Sequence, residues 1–273
     1  MKGIIFAGCS FTWGQGLYYY SDLKNQIIMG DSNFNQSNVT DAQIKFKNTL
    51  HFPRLVANHF NTFEIVKQTN GGSDRDSYEF VNSLFDGTLK NHDFILNSNF
   101  NYNDFDYMVF QTSQINRNKF KFTFNDINYE ITISNNGMDF LKEEEKILLE
   151  WLIKNNLTYN EWFTIFRSQI FEELKNFLIS HEEKGIKCKI VCWTDDLLEF
   201  IKNDEFMSSR LVPLYYNNNK FDTIKYLTDL NNNMLICNDV ENISSPPDDH
   251  HPSKKCHKII AESIIKNIEK DNI

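Results

Sequence analysis

The chain has 273 residues, 41% of them apolar and 24% charged, which suits a globular protein with one sizeable hydrophobic core. A formal net charge of −9 excludes a generic nucleic-acid binder, whose affinity comes from a basic face set against phosphates. No segment approaches the ~18 consecutive apolar residues of a membrane span, and Cys9, Cys188, Cys192, Cys237 and Cys256 have no paired spacing, so reduced thiols and a cytoplasmic setting are expected.

Ile4 to Ala7 predict a buried strand of a parallel sheet, running straight into Gly8, Ser10 and further glycines at 14 and 16. Phe6-Ala7-Gly8-Cys9 has the look of a lipoprotein cleavage box, but the apolar run before it is shorter than the about 7–15 residues of a signal h-region. A strand ending in Gly-x-Ser puts a hydroxyl at the carboxyl edge of a sheet, where open α/β folds bind ligands; the plainer use of Ser10 is as a helix cap. Tyr18 to Asp41 is polar and aromatic without periodicity and reads as a loop-rich cover over that edge.

Residues 52–60 predict a helix with Pro53 in its first turn and Leu55, Val56 and His59 on one face. A short strand at 63–67 leads into the turn cluster Asn70-Gly71-Gly72-Ser73 and a helix at 77–84. Phe105 to Gln111 predict a third strand, closing on Thr112-Ser113-Gln114. Alternating segments at 119–124 and 128–133 around Asn125-Asp126 predict a β-hairpin. Helices follow at about 139–155 and 160–184, the second ended by Gly185. A fourth core strand at 187–193 precedes Thr194-Asp195-Asp196, which is expected to cap a helix at 197–202. Residues 203–230 carry no clear assignment, and the Asn runs at 217–219 and 231–233 read as surface loops. Residues 234–237 predict a fifth strand, and a closing helix spans about 255–269. Alternating strands and helices imply a three-layer α/β/α sandwich with a mostly parallel central sheet. One domain over 1–273, with a hairpin and helical insertion at about 118–184, is expected.

Four loops then stand at strand carboxyl ends: Gly8-Cys9-Ser10, the 70–73 turn, Thr112-Ser113-Gln114, and Asp248-Asp249-His250-His251 on a proline-bracketed loop. Acyl transfer needs this set. A serine hydroxyl is a weak nucleophile until a base takes its proton, and the base needs an orienting acid. The spacing of Asp248 and His251 lets one turn bring carboxylate to imidazole, with Asp249 as the rival acid. Preorganised N–H donors for the oxyanion are available from Ser10 and from a glycine at 71 or 72.

Gly8-Cys9-Ser10-Phe11-Thr12-Trp13-Gly14-Gln15-Gly16-Leu17, the glycine loop, and Asp248-Asp249-His250-His251-Pro252-Ser253 together resemble the ordered blocks of the SGNH/GDSL hydrolases, serine esterases of α/β/α, flavodoxin-like architecture. The resemblance implies Ser10 as nucleophile and oxyanion donor, His251 as base and Asp248 as its orienter, with Gly71 and Gly72 in the oxyanion hole. Cys9 stands where the family usually has Asp. In place of the third block, Gly-x-Asn-Asp, the strand ends in Gln111-Thr112-Ser113-Gln114-Ile115-Asn116-Arg117, similar to a Thr-x-x-x-x-Arg version, and Gln114 takes the position of the oxyanion Asn.

The expected function is therefore removal of an O-acyl group from a carbohydrate or other small polar ester, without metal or organic cofactor and with neither nucleic acid nor membrane as partner. An O-acyltransferase using the same triad, and an inactive binding module on the same fold, are the alternatives. Trp13, Arg75, Arg117 and His250 are candidates for the substrate rim, the arginines for an anionic substrate or for surface salt bridges. A zinc site from Asp249, His250, Cys256 and His257 is disfavoured, because the closing helix turns the last two away from the loop.

Overall fold

The computed structural model describes residues 1–9, 12, 17, 41–67, 73–88, 100–132, 143–229, 235 and 251–271. Its centre is a four-stranded, fully parallel sheet of β1 (Gly3–Ala7), β2 (Glu64–Val66), β3 (Phe105–Thr112) and β6 (Lys187–Cys192), in the order β2-β1-β3-β6. All five residues of β1 are buried, as befits a strand covered on both faces. The two-residue period of the strands splits the core in two. Ile5, Ala7, Met108 and Phe110 face one helical layer, built from α3 (Asp74–Asp86), α4 (Glu143–Lys154) and α5 (Tyr159–Glu182). Ile4, Phe6, Tyr107 and Val109 face the other, built from α2 (Phe52–His59), α8 (Ile224–Asp229) and α9 (Lys254–Lys270). Helices on both faces of a parallel sheet are compatible with the expected α/β/α sandwich. Among the described residues no helix is long and apolar enough to cross a membrane.

The hairpin forms from β4 (Lys119–Phe124) and β5 (Ile127–Thr132). Asn125 and Asp126 adopt φ of 49° and 62°, the left-handed pair that matches the strand twist across a two-residue turn. Phe120 and Phe122 point inward against Trp151, and Phe120 also packs edge-on to Trp162 and Phe166. Of the 118–184 segment, α5 packs against β6 and is the crossover helix that joins β3 to its parallel neighbour.

Several expectations are corrected. The helix expected at 77–84 begins at Asp74, because Ser73 and Asp76 close a capping box: Ser73 Oγ accepts from Asp76 N and Asp76 Oδ2 accepts from Ser73 N. The buried face of α2 is Phe52, Pro53, Val56 and Ala57, while His59 is exposed and pairs with Glu269. Residues 203–230 hold α7 (Glu205–Ser208), α8 and a second hairpin, β7 (Leu214–Tyr216) and β8 (Asn219–Phe221). Asn217 and Asn218, read from sequence as a surface loop, are exposed as expected and form its turn, with φ of 49° and 63°, while Asn219 of the same run opens β8.

Asp196 does not cap the helix that follows, α6 (Leu198–Asn203), whose N-cap Leu197 makes no side-chain bond. It accepts instead from Thr194 Oγ1 at 2.7 Å and from Ile115 N at 3.1 Å. The expected fifth strand at 234–237 is described only at Leu235, whose backbone is helical. The outer side of β6 is met by residues 210–212 and by Thr223. The Tyr18–Asp41 cover lies outside the described residues up to residue 40, and Asp41 opens α1 (Asp41–Leu50).

Candidate active site

Parallel strands bring the ends of β1, β2, β3 and β6 to one edge of the sheet. Gly8 and Cys9 leave β1 there, and Gly8 is needed as glycine. A Cβ at that position would run into the Thr12 hydroxyl and come within 2.9 Å of Gln111 Cβ. The turn closes with Thr12 N donating to Cys9 O at 3.0 Å. One buried amide then grips it from the neighbouring strand: Gln111 Oε1 accepts from Thr12 Oγ1 at 2.6 Å, and Gln111 Nε2 donates to Cys9 Sγ at 3.1 Å. Ser10 and Phe11, which separate the two clamped residues in the sequence, are outside the described residues. Sequence reading took Gln111 for the last residue of a strand and missed this role; a polar residue directly after the apolar run Tyr107–Phe110 was the available signal.

Beside the turn, Ser77 of α3 stands with its hydroxyl 3.4 Å from Gly8 O and 3.3 Å from Ser73 O, and it accepts from Lys67 Nζ at 3.2 Å. Lys67 follows β2 and is almost fully buried. Burial pulls its pKa down to about 8, an effect partly offset by Asp76, Cys9, Asp74 and Glu79.

The loop after β3 is fixed through Asp74, also buried. Asp74 Oδ1 accepts from Ser113 N at 2.7 Å and Oδ2 from Asn118 Nδ2 at 3.1 Å, while Asn118 Oδ1 accepts from Asp74 N at 3.1 Å. Burial raises the Asp74 pKa against these hydrogen bonds, which favour the carboxylate. Thr112 Oγ1 accepts from Trp193 N at 3.3 Å, tying β3 to the end of β6. Gln114 and Arg117 both sit on this loop. Arg75 leans away along α3 to pair with Glu130 and Glu79, which matches the salt-bridge alternative for that residue.

The direction of α9 brings its amino end to the same edge. It runs alongside α2: at their starts His257 Nδ1 accepts from Phe52 N at 3.2 Å and the two rings stack, and at their ends Glu269 meets His59 at 3.0 Å. Ser253 caps α9 through Cys256 N. His251 precedes the cap, is half-buried, and lies close enough to His257 to oppose protonation of the His257 ring. Burial first, then His251 and Lys47, lower the His257 pKa to about 3, so it stays neutral with its Nδ1 free to accept. Cys256 and His257 are both buried, and no three His, Cys, Asp or Glu side chains among the described residues gather as metal ligands.

The described residues thus bring together Gly8, Cys9, Thr12, Gln111, Asp74, Ser113 and Gln114 at the sheet edge, with His251 at the amino end of the helix that reaches it. Trp13, Gly71, Gly72, Asp248, Asp249 and His250, like Ser10, lie outside the described residues. No protein-family model, curated protein or solved structure matches the chain.

Proposed function

We propose that the protein is a serine ester hydrolase of SGNH type, acting on an O-acyl group of a carbohydrate or similar small polar ester. The observation that carries the proposal is the Gln111 clamp. It holds both Cys9 and Thr12 at the carboxyl end of a central strand, the side where α/β sheets do their chemistry, and Ser10 follows Cys9 in the sequence. Anchored residues beside a nucleophile serve acyl transfer, because small misplacements lower turnover steeply.

Ser10 attacks the ester carbonyl while His251 takes its proton, with Asp248 orienting the imidazole. The oxyanion is met by the backbone N–H groups of Ser10 and of Gly71 or Gly72 and by the Gln114 amide. His251 returns the proton to the leaving alcohol, then activates a water that releases the acyl group from Ser10. Cytoplasmic location is part of the proposal and is supported by Cys188, Cys192 and Cys256, buried thiols that form no disulfide. Labelling with a fluorophosphonate probe tests the assignment: wild type is expected to label and Ser10→Ala not to. Absence of Ser10-dependent labelling overturns it.

A further inference from the structure

The loop from Ser113 to Asn118 is held at both ends and in the middle. Ser113 N and Asn118 Nδ2 bond to Asp74, Ile115 N bonds to Asp196 at 3.1 Å, and Arg117 N closes on Gln114 O at 3.0 Å. The Ile115 side chain is buried beneath it. Such anchoring fixes the direction in which the remaining side chains leave the backbone.

The chain has five arginines, and all five are described. Arg54 pairs with Glu64, Arg75 with Glu130, and Arg210 with Glu182, while Arg167 donates to Asp196 O and lies over the Phe200 ring. Arg117 differs. Its guanidinium has no carboxylate and no carbonyl partner among the described residues, although its Nη1 is closed off from solvent. A guanidinium nitrogen removed from water and left unbonded is unfavourable until an acceptor arrives. Surface salt bridging, the ordinary use of an arginine, explains Arg54, Arg75 and Arg210, a carbonyl and a ring hold Arg167, and neither explains Arg117. The planar fork of Arg matches two oxygens of one carboxylate or phosphate.

We propose that Arg117 is the specificity residue of this sheet edge and takes an oxyanion, a carboxylate or a phosphate, on the molecule bound there. The substrate class would then be acidic esters, such as acylated sugar acids or half-esters of dicarboxylic acids. The location rests on the hydrolase assignment; the anion site itself does not. Gln114, three residues earlier on the same pinned loop and without a side-chain partner among the described residues, would face the acyl end.

Calorimetric titration of the full chain with succinate and with inorganic phosphate, at fixed ionic strength, tests this. Wild type is expected to bind at least one of the two, and the better probe distinguishes carboxylate from phosphate recognition. Arg117→Gln should weaken that binding by about ten- to a hundredfold, as for loss of a charge-assisted pair. Lys220→Gln, on the exposed second hairpin, should bind as wild type. In parallel, turnover of 4-nitrophenyl acetate is compared with that of mono-4-nitrophenyl succinate. Arg117→Gln should lower kcat/KM about tenfold for the anionic ester alone, chiefly through KM. Equal binding by wild type and Arg117→Gln, or binding by neither, overturns the inference. Arg117-dependent binding without any ester turnover upholds it and removes the hydrolase assignment instead. Matching thermal melts establish that the variant is folded.

Discussion

Asp74→Ala removes a carboxylate that accepts from Ser113 N at 2.7 Å and Asn118 Nδ2 at 3.1 Å in a position only 1% exposed. Each such bond to a charged acceptor is worth about 1.5–3 kcal/mol, and both donors stay buried without replacement. The expected loss of stability is about 3–5 kcal/mol, the range for removing one member of a buried charged set. Asp74→Asn should cost less, about 1–3 kcal/mol. It keeps an acceptor for Ser113 N but turns an amide NH₂ toward that of Asn118, and Asn118 cannot flip without facing Asp74 N with its own NH₂. Urea unfolding followed by circular dichroism at pH 7 measures both, with unchanged m-values as the check on comparability. A double-mutant cycle with Asn118→Ala should return a coupling of about 0.5–3 kcal/mol. The reasoning fails if Asp74→Ala costs under about 1 kcal/mol, if the two Asp74 variants are equal, or if the coupling is nil. Linkage adds a pH signature. Burial raises the folded pKa of Asp74, so protonation adds an increment of stability that is fully present below the ordinary carboxylate range and is lost as pH rises through the raised value, leaving the hydrogen bonds measured at pH 7. Asp74→Asn should flatten that portion of the stability profile.

Gly8→Ala forces a methyl group into the Thr12 hydroxyl and to within 2.9 Å of Gln111 Cβ. A loss of about 1–3 kcal/mol in urea unfolding is expected from overpacking, together with lower fluorophosphonate reactivity; wild-type values for both would refute the clamp. Lys67 has its folded pKa lowered from 10.5 to about 8, so the native state binds fewer protons than the unfolded chain between those values and stability should rise across that window. The rise is at most about 3 kcal/mol, and Lys67→Met should lack it; a variant profile parallel to wild type from pH 8 to 10.5 counts against a buried amine there.

The four core strands were legible because each carries a short apolar run, Ile4–Ala7, Ile65–Val66, Tyr107–Phe110 and Ile190–Cys192, that leads into a turn, and buried parallel strands leave that pattern. The first hairpin was legible too, since Phe120 and Phe122 alternate with lysines around Asn125-Asp126. The second hairpin was not, because its strands, Leu214–Tyr216 and Asn219–Phe221, are too short for a period to emerge. The start of α3 was misplaced because the capping box uses Asp76, an acid shorter than the usual Glu. Of the candidate site, the strand-end loops could be read from the chain, but Gln111, Asp74 and Asn118 could not. Their roles are pairings across 102, 39 and 44 positions of sequence, and nothing local marks a residue whose partner is so distant. Asp196 misled for a related reason: beside a helix start it has the look of a cap, yet it serves a loop 81 positions earlier.

The register of β1 against β3, with Ile5 beside Met108, has a consequence during synthesis. At roughly 5–20 residues per second, the ribosome needs on the order of 5–20 s to deliver the hundred or so residues between them. For that time Ile4, Ile5 and Phe6 emerge as an apolar stretch whose only earlier sheet neighbour among the described residues is the short β2. One of the two surfaces that finally cover β1 is completed by α9, which emerges later still. During that time β1 is open to wrong partners, and expression of the protein should respond to ribosome-associated chaperones that shelter the segment from β1 to β3.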